Sequence, residues 1–280
     1  MINYLKHFGL REPPFGITPD TSYFFACRSV QEALNTLLIA VANGEGFIKI
    51  TGEVGTGKTL LCRKFLSMLG PEWVSAYIPN PNLEPRIVLL ALADELGLSA
   101  ESIESHRLGK ELAQRLLDIA RQGRRVVLCM DETQAMPLPT LETVRLLTNL
   151  ETEKRKLMQV VLFGQPELDR KLASGSVRQL RQRITFQYTL KALGRHEVAA
   201  YVAHRLAVAG LSGAQLFSGG ALKAIHGASR GVPRLINILC HKSLLLAYGE
   251  GLRRAERRHA NAAVQDTPAA TVPWWRWKAA

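Results

Sequence analysis

The sequence predicts an α/β protein: a parallel, doubly wound sheet followed by a small all-helical domain. Three observations carry that prediction. Five short runs of apolar or β-branched residues, at 47–51, 73–78, 125–130, 157–163 and 184–190, alternate with helical patterns up to residue 190. That rhythm is the one of strand–helix–strand units in a parallel sheet. From Gly194 onward no further buried run occurs, and 197–209, 220–228, 233–248 and 255–264 all read as helices. Finally, a Gly-rich turn, G-E-V-G-T-G-K-T at 52–59, leads from the first run directly into a helical segment.

The elements follow in order. Residues 1–30 are rich in aromatics and proline, including Phe8, Pro13, Pro14, Phe15, Pro19, Tyr23, Phe24 and Phe25. Proline fixes an extended path, so a packed arm is expected here rather than a helix. Within it, 17–20 is the candidate for covering an adenine; plain core packing accounts for it as well. Residues 30–43 place Ala33, Leu34, Leu37, Leu38 and Val41 at helical period, and Asn43-Gly44 stops the helix. After the Gly-rich turn a helix runs over 60–69, and Gly70-Pro71 ends it before the strand at 73–78. Pro79-Asn80-Pro81 closes that strand. A helix at 85–96 has Pro85 in its first turn and Gly97 just past its end. Another covers 108–120. The run Arg-Val-Val-Leu-Cys-Met at 125–130 is apolar on both faces, as a central parallel strand is. A helix at 141–150 precedes the strand at 157–163. The domain plan is therefore 1–190 for the α/β part with its arm, 191–265 for the helical part, and 266–280 for a Trp-rich basic tail.

Composition bounds the class. The 280 residues are 47% hydrophobic and 21% charged, an ordinary soluble globular balance. Residues 1–10 carry Asn, Lys and His, so no secretory signal is expected. No apolar run approaches the roughly 18 residues needed to span a bilayer. Cys27, Cys62, Cys129 and Cys240 form no Cys-x-x-Cys pair and are expected to be reduced, cytosolic and not metal-binding. The net charge is +12, and residues 191–280 hold 13 Lys/Arg against 4 Asp/Glu. Nucleic acid, anionic lipid or an acidic partner would suit such a surface, and so would plain solvation.

The chemistry lies where strands end. A polyphosphate must rest on bare backbone, which explains Gly52, Gly55 and Gly57. The N–H groups of Gly52, Glu53, Val54, Gly55, Thr56 and Gly57, with Lys58, Thr59 and Leu60 opening the helix, then face the anion. Lys58 reaches the β- and γ-phosphates and Thr59 offers its hydroxyl to Mg²⁺. Asp131-Glu132 ends a buried strand, where two adjacent anions are costly without a cation. Asp131 is expected to hold the metal shell and Glu132 to polarise the attacking water; an acidic helix start would account for only one of them. Gln165 ends the next strand, as a contact to the γ-phosphate or water, or as a turn residue. Arg178, Arg181 and Arg183 precede the last strand, where one arginine can act on a neighbouring subunit or all three can face solvent. In G-V-P-R, Pro233 sets the entry of a helix so that Arg234 projects from its first turn towards a γ-phosphate. Trp274, Trp275 and Trp277 in the tail suit a partner, a membrane interface or their own chain.

These pieces together resemble a known family. G-E-V-G-T-G-K-T (52–59), M-D-E-T-Q (130–134), L-L-T-N-L-E-T (146–152), V-L-F-G-Q-P-E-L (161–168), L-R-Q-R-I (180–184) and G-V-P-R-L-I-N (231–237) resemble the AAA+ ATPases of the ExeA/GspA secretion group. Within that group, 46–64 and Y-I-P-N-P (77–81) look most like the branch serving mannose-sensitive haemagglutinin (MSHA) type IV pilus biogenesis. The resemblance covers roughly residues 1–250, more than a lone motif. It implies a P-loop fold with a sheet ordered 5-1-4-3-2 and an all-α lid, ATP and Mg²⁺ as ligands, and a nucleotide-driven homo-oligomer. It makes Lys58 and Thr59 the Walker A pair, Asp131 and Glu132 the Walker B pair, Gln165 sensor 1 and Arg234 sensor 2. It places Asn80 where a polar residue restrains the Walker B glutamate, and favours Arg183 as the arginine acting in trans. The family usually has D-E-A-Q where this chain has Thr133 between Glu132 and Gln134, a change not expected to affect the metal. The transmembrane segment and periplasmic peptidoglycan-binding domain of longer members have no counterpart here, so wall remodelling is not expected of this chain.

The expectation is a cytoplasmic Mg²⁺-dependent ATPase. It would support assembly of an MSHA-like pilus or a type II-like secretion system, with partners at the inner membrane. The rival is a DNA-associated ATPase such as a transposition helper, using the basic helical part; a third reading is a regulatory ATP-binding module.

Overall fold

The computed structural model describes residues 2–99, 105–151, 156–174 and 178–271. These form two compact units, one of Arg28–Val54 with Lys58–Leu190, the other of Met1–Cys27, Gly55–Gly57 and Lys191–Ala280.

The first unit is the α/β part. Its strands are β1 (Phe47–Thr51), β2 (Trp73–Ile78), β3 (Arg125–Met130), β4 (Met158–Gly164) and β5 (Ile184–Thr189). All pair in parallel, in the order β2-β3-β4-β1-β5, which bears out the order that the resemblance implied. The apolar runs explain the layering. Every residue of β1 and β4 is buried, as is all of β3 after Arg125, whereas β5 alternates half-buried and exposed residues as an edge strand does. The helices of this unit are α2 (Arg28–Ala42), α3 (Lys58–Ser67), α4 (Pro85–Glu95), α5 (Ser105–Arg121), α6 (Leu138–Leu147), α7 (Glu167–Leu172) and α8 (Arg178–Arg183). Leu92, Leu108, Leu112, Leu116 and Leu141 from α4, α5 and α6 are fully buried in one core with Leu128, Val160 and Leu162 of the sheet. All four cysteines are buried and none is in a disulfide, and three of them sit in apolar runs as small core residues.

Among the described strand residues, Lys49 carries a buried charge. Its ammonium, mid-way along β1, forms an ion pair with Asp169 of α7, which offsets the cost of a charge in that position.

The second unit contains α1 (Ile2–Phe8), α9 (Arg195–Val208), α10 (Gly219–Ser229), α11 (Pro233–Gly249), α12 (Arg257–Gln265) and α13 (Pro268–Thr271). It corrects the sequence reading in two respects. The chain begins as a helix, not wholly as an extended arm, because Pro13, Pro14 and Pro19 constrain only the segment after α1. Tyr4 and Phe8 make α1 worth forming: both are buried, and the Tyr4 ring meets His241 and Tyr248 of α11 edge-on at 6.0 Å. Also, residues Met1–Cys27 group with the C-terminal helices and not with the α/β part. The Trp274–277 tail lies outside the described residues.

Arg205 of α9 explains how the arm is held. Its guanidinium is buried, 4.3 Å over the Tyr23 ring, and donates to Pro14 O, to Gly16 O (3.2 Å) and to the Tyr201 hydroxyl (3.1 Å). A planar fork of donors makes all these contacts at once; an ammonium cannot. Arg205→Met is expected to cost about 2 kcal/mol or more, since Pro14 O loses its donor in a buried setting. Urea unfolding would measure the loss, and limited proteolysis should show earlier cleavage near residues 13–20.

Candidate functional site

The site is built by strand ends. In this strand order the chain passes from β1 to one side and returns over it to β5, so the connections diverge beside β1. The carboxyl ends of strands at such a switch point leave a crevice. β1 ends at Thr51, β3 at Met130 and β4 at Gly164, and each delivers a predicted residue. Gly52 N–H donates to Gly164 O at 3.2 Å, so the start of the Gly-rich loop is pinned to the end of β4.

The loop turns as its composition requires. Gly55 and Gly57 take φ of 81° and 96°, values that a side chain makes costly. Val54 at its crest is 43% exposed. Helix α3 opens at Lys58, whose side chain is buried and whose Nζ donates to Gly52 O (2.8 Å) and Glu53 O (3.1 Å). Burial is the main influence on this ammonium and pushes its pKa down; the Glu132 and Asp131 carboxylates oppose that shift. The amine and both predicted carboxylates thus share one electrostatic neighbourhood. The next residue, Thr59, donates its hydroxyl to Asp131 Oδ2 at 2.5 Å. Leu60 follows, half-buried, in the first turn of α3.

Asp131 extends the ladder past β3, its N–H donating to Ile78 O at 3.0 Å. It is 2% exposed, and its Oδ1 accepts the Glu132 N–H at 2.9 Å. Burial raises its pKa, against the lowering effect of the Thr59 and Glu132 hydrogen bonds and of Lys58. A carboxyl with a raised folded pKa favours folding at low pH, and that contribution is lost as pH rises through the folded value. At neutral pH the ionised Asp131 is therefore a destabilising charge in the free protein. Asp131→Asn is expected to raise Tm without ligand, because its carboxamide oxygen can keep the Glu132 N–H while its NH2 donates to the Thr59 hydroxyl in place of the present acceptance, and to abolish any added stabilisation by Mg²⁺ with nucleotide. Paired melting curves measure both signs.

Glu132 has a left-handed backbone, φ 51°, which turns its side chain out of the strand direction. Its Oε2 accepts from Gln134 Nε2 (2.5 Å) and Gln165 Nε2 (3.0 Å). Gln165, at the end of β4, thus reaches the predicted base. No hydrogen bond joins Asn80 to Glu132 among the described residues: the Asn80 side chain is exposed and accepts the Asn82 N–H at 3.2 Å. The amide partners of Glu132 come instead from Gln134 and Gln165. Thr133, where the resembling family carries Ala, is fully buried and donates to Phe163 O at 2.8 Å, tying this turn to β4.

Arg181 and Arg183 have other neighbours. Arg183 donates to Asn149 Oδ1, and Arg181 is exposed beside Lys49, Asp169 and Thr185 in a polar cavity. Arg178 starts α8. In the second unit, Arg234 is exposed in the first turn of α11, and its backbone N–H donates to Gly55 O at 3.2 Å. The turn before it needs glycine: Gly231 has φ 77°, and a Cβ there would sit 2.0 Å from Leu193 O.

Lys171 escaped the sequence reading, and Gln134 entered it only within the M-D-E-T-Q run, with no role assigned. Lys171 of α7 donates to Gln134 O (2.5 Å) and Met136 O (2.7 Å), and burial lowers its pKa. No local pattern marks Lys171, and the motif that contains Gln134 does not say which groups its side chain meets, because one of them, the Gln165 N–H, comes from another strand end.

Among the described residues no group of three or more His, Cys, Asp or Glu side chains could hold a metal alone. Thr59 and Asp131 side by side do suit Mg²⁺, which is commonly bound by one carboxylate together with substrate phosphates.

Residues 41–172 match the family model described as an AAA domain. The chain is 44% identical over 249 residues to general secretion pathway protein A of Aeromonas hydrophila, covering 89% of this chain and 45% of that protein. It therefore spans under half of this curated relative. Among solved structures, the Aeropyrum pernix ORC2 protein in ADPNP–ADP complexes superposes with a TM-score of 0.65 at 14% identity, over 94% of this chain and 75% of that one. The Aeropyrum pernix ORC1 protein in complex with DNA gives 0.64 at 16%, over 91% and 69%. The RuvB Holliday junction branch migration motor of Thermotoga maritima gives 0.59 at 15%, over 94% and 78%. At such identities these structures speak to fold alone. The fold is that of an AAA P-loop NTPase, with a five-stranded parallel sheet and a helical C-terminal part. No helix among the described residues is long and apolar enough to cross a membrane.

Proposed function

We propose that the protein binds and hydrolyses ATP with Mg²⁺ and, as a nucleotide-dependent homo-oligomer, supports assembly of a secretion system or an MSHA-like type IV pilus at the inner membrane, from the cytoplasmic side. The observation that carries the ATP chemistry is the hydrogen bond from Thr59 to Asp131, beside the buried Lys58 amine and the Glu132 carboxylate. This set matches the needs of phosphoryl transfer to water: an amine for the phosphates, a hydroxyl and carboxylate for the metal, and a second carboxylate free of the metal to orient the water. Mg²⁺, when bound, neutralises charge on the β- and γ-phosphate oxygens. In this reading Lys58 exchanges its carbonyl contacts for phosphate oxygens, Glu132 takes the proton of the attacking water, and Gln165 contacts that water or the γ-phosphate. Arg234 follows the γ-phosphate, and Arg183 serves a neighbouring subunit after leaving Asn149. The backbone from Gly52 to Gly57, with Lys58, Thr59 and Leu60, cradles the anion. The secretion role draws on the 44% identity to general secretion pathway protein A, and the pilus role on the resemblance of 46–64 and 77–81 alone.

The basic surplus of residues 191–280 favours a second reading, a DNA-associated ATPase. One assay separates them: ATP turnover by the purified chain, with Mg²⁺ or a chelator, with and without duplex DNA, at two salt concentrations. Mg²⁺-dependent turnover indifferent to DNA is expected. Strong stimulation by DNA that falls steeply with salt would favour the second reading, and no turnover above background would leave only nucleotide binding. Failure of a Lys58→Met allele to restore pilus or secretion in a deletion strain is the cellular counterpart.

A further inference from the structure

Gln134 occupies a position that the chemistry above does not use. Its carboxamide joins two groups of opposite need: Nε2 donates to Glu132 Oε2 at 2.5 Å, while Oε1 accepts the Gln165 backbone N–H at 3.0 Å. Gln165 Nε2 closes the ring by donating to the same Glu132 oxygen at 3.0 Å. Only one orientation of the Gln134 amide satisfies both partners. Its backbone is fixed as well. The Gln134 carbonyl accepts from Lys171 Nζ (2.5 Å), and Ala135 N–H donates to Glu132 O (2.9 Å), so the turn that carries Glu132 is held at both ends.

We propose that Gln134 is a positioning residue that locks the Glu132 carboxylate and the Gln165 side chain into one unit. Glu132 sits in the left-handed region, where its backbone alone does not dictate where the carboxylate points. Two amide donors saturate Oε2 and leave Oε1 without a hydrogen-bond partner among the described residues. Oε1 is then the oxygen that faces the attacking water, and Gln165 can meet that water only from where Gln134 holds its backbone. A base displaced by about 1 Å is enough to lose roughly 10²-fold in rate. This inference rests on Glu132 acting as the base of ATP hydrolysis, but the contact itself can be tested without turnover.

Two measurements test it. Gln134→Glu keeps size and the acceptor for Gln165 but sets a carboxylate against Glu132; Gln134→Met keeps shape and removes both bonds. Both are expected to lower kcat at least about tenfold with the KM for ATP changed less than about threefold, the mark of an interaction needed for the chemical step. Unchanged or faster turnover in both variants would overturn the proposal. The second measurement is a melting cycle of the parent, Glu132→Gln, Gln134→Glu and the double variant, without nucleotide. The double variant reverses donor and acceptor, so it should recover most of the Tm, about 3 °C or more, lost in Gln134→Glu. Additive Tm changes would show that the two side chains do not bear on each other and would also overturn it. A parent protein without ATPase activity would defeat the proposed function, while the melting cycle would still decide whether the lock exists.

Discussion

Glu132→Gln is expected to bind ATP about as tightly as the parent and to hydrolyse it at least about 10²-fold more slowly, the usual scale for losing a general base. The argument is geometric. A glutamine at 132 has the same length, and its carbonyl oxygen can still accept from Gln134 and Gln165, the two amides that hold Oε2 at present. The left-handed turn, the Thr133 anchor to Phe163 O and the Lys58 and Thr59 contacts are untouched. What disappears is the charged, basic oxygen. Nucleotide binding by filter retention and steady-state turnover therefore separate the role cleanly, and turnover like that of the parent would remove Glu132 from the base position. The substitution also removes a carboxylate next to Asp131, one of the contributors that raise the Asp131 pKa, so the free variant should melt no lower than the parent.

Lys58→Met is expected to have effects of opposite sign with and without ligand. In the free protein the ammonium is buried and burial drives its pKa down, so the charge is held at a cost. Its hydrogen bonds to Gly52 O and Glu53 O recover part of that cost. A methionine fills the same space without charge, and the free protein should melt near or above the parent. With ATP the comparison reverses. A ligand at 100 times its Kd stabilises by about 2.7 kcal/mol, which for a chain of this size is a Tm increase of roughly 5–10 °C. Losing a charged donor to phosphate should weaken ATP at least about tenfold, so about half of that increase or more vanishes at the same ATP concentration. A full ATP-dependent increase in the variant would show that Lys58 does not meet the phosphates.

How much could be read before folding depends on the range of the interaction. β1, β2 and β3 lie where the apolar runs placed them; for β1 and β3 the reason is that a strand buried on both faces needs little beyond its own residue types. The loop at 52–57 was legible because glycine is demanded by backbone dihedrals, a local matter. Asp131 and Glu132 stood out because two anions at the end of a buried run have no cheap structural purpose. Boundaries moved where neighbours decide them: the helix expected at 141–150 runs Leu138–Leu147, with Pro137 at its N-cap.

The arm shows where local reading stopped. Its prolines keep the segment after α1 out of regular helix as far as residue 20, but α1 is seven residues long, too short for a period to be seen, and forms because Tyr4 and His7 find cover on α11. Arg205, which holds the arm, looks from the sequence like any basic residue on a helix. Asn80 illustrates the converse, a residue placed by analogy whose side chain accepts the Asn82 N–H.

The sequence by itself determined the strands, the Gly-rich loop and the carboxylate pair, because backbone dihedrals, alternation of apolar runs and the cost of buried charge act within a few residues. Only the tertiary structure decided that Gln134 and Gln165 share one oxygen of Glu132, that Lys49 meets Asp169, and that the arm belongs with the C-terminal helices. Those outcomes depend on atoms brought together from distant parts of the chain, and hydrogen bonds of a few ångströms leave no period in the order of residues.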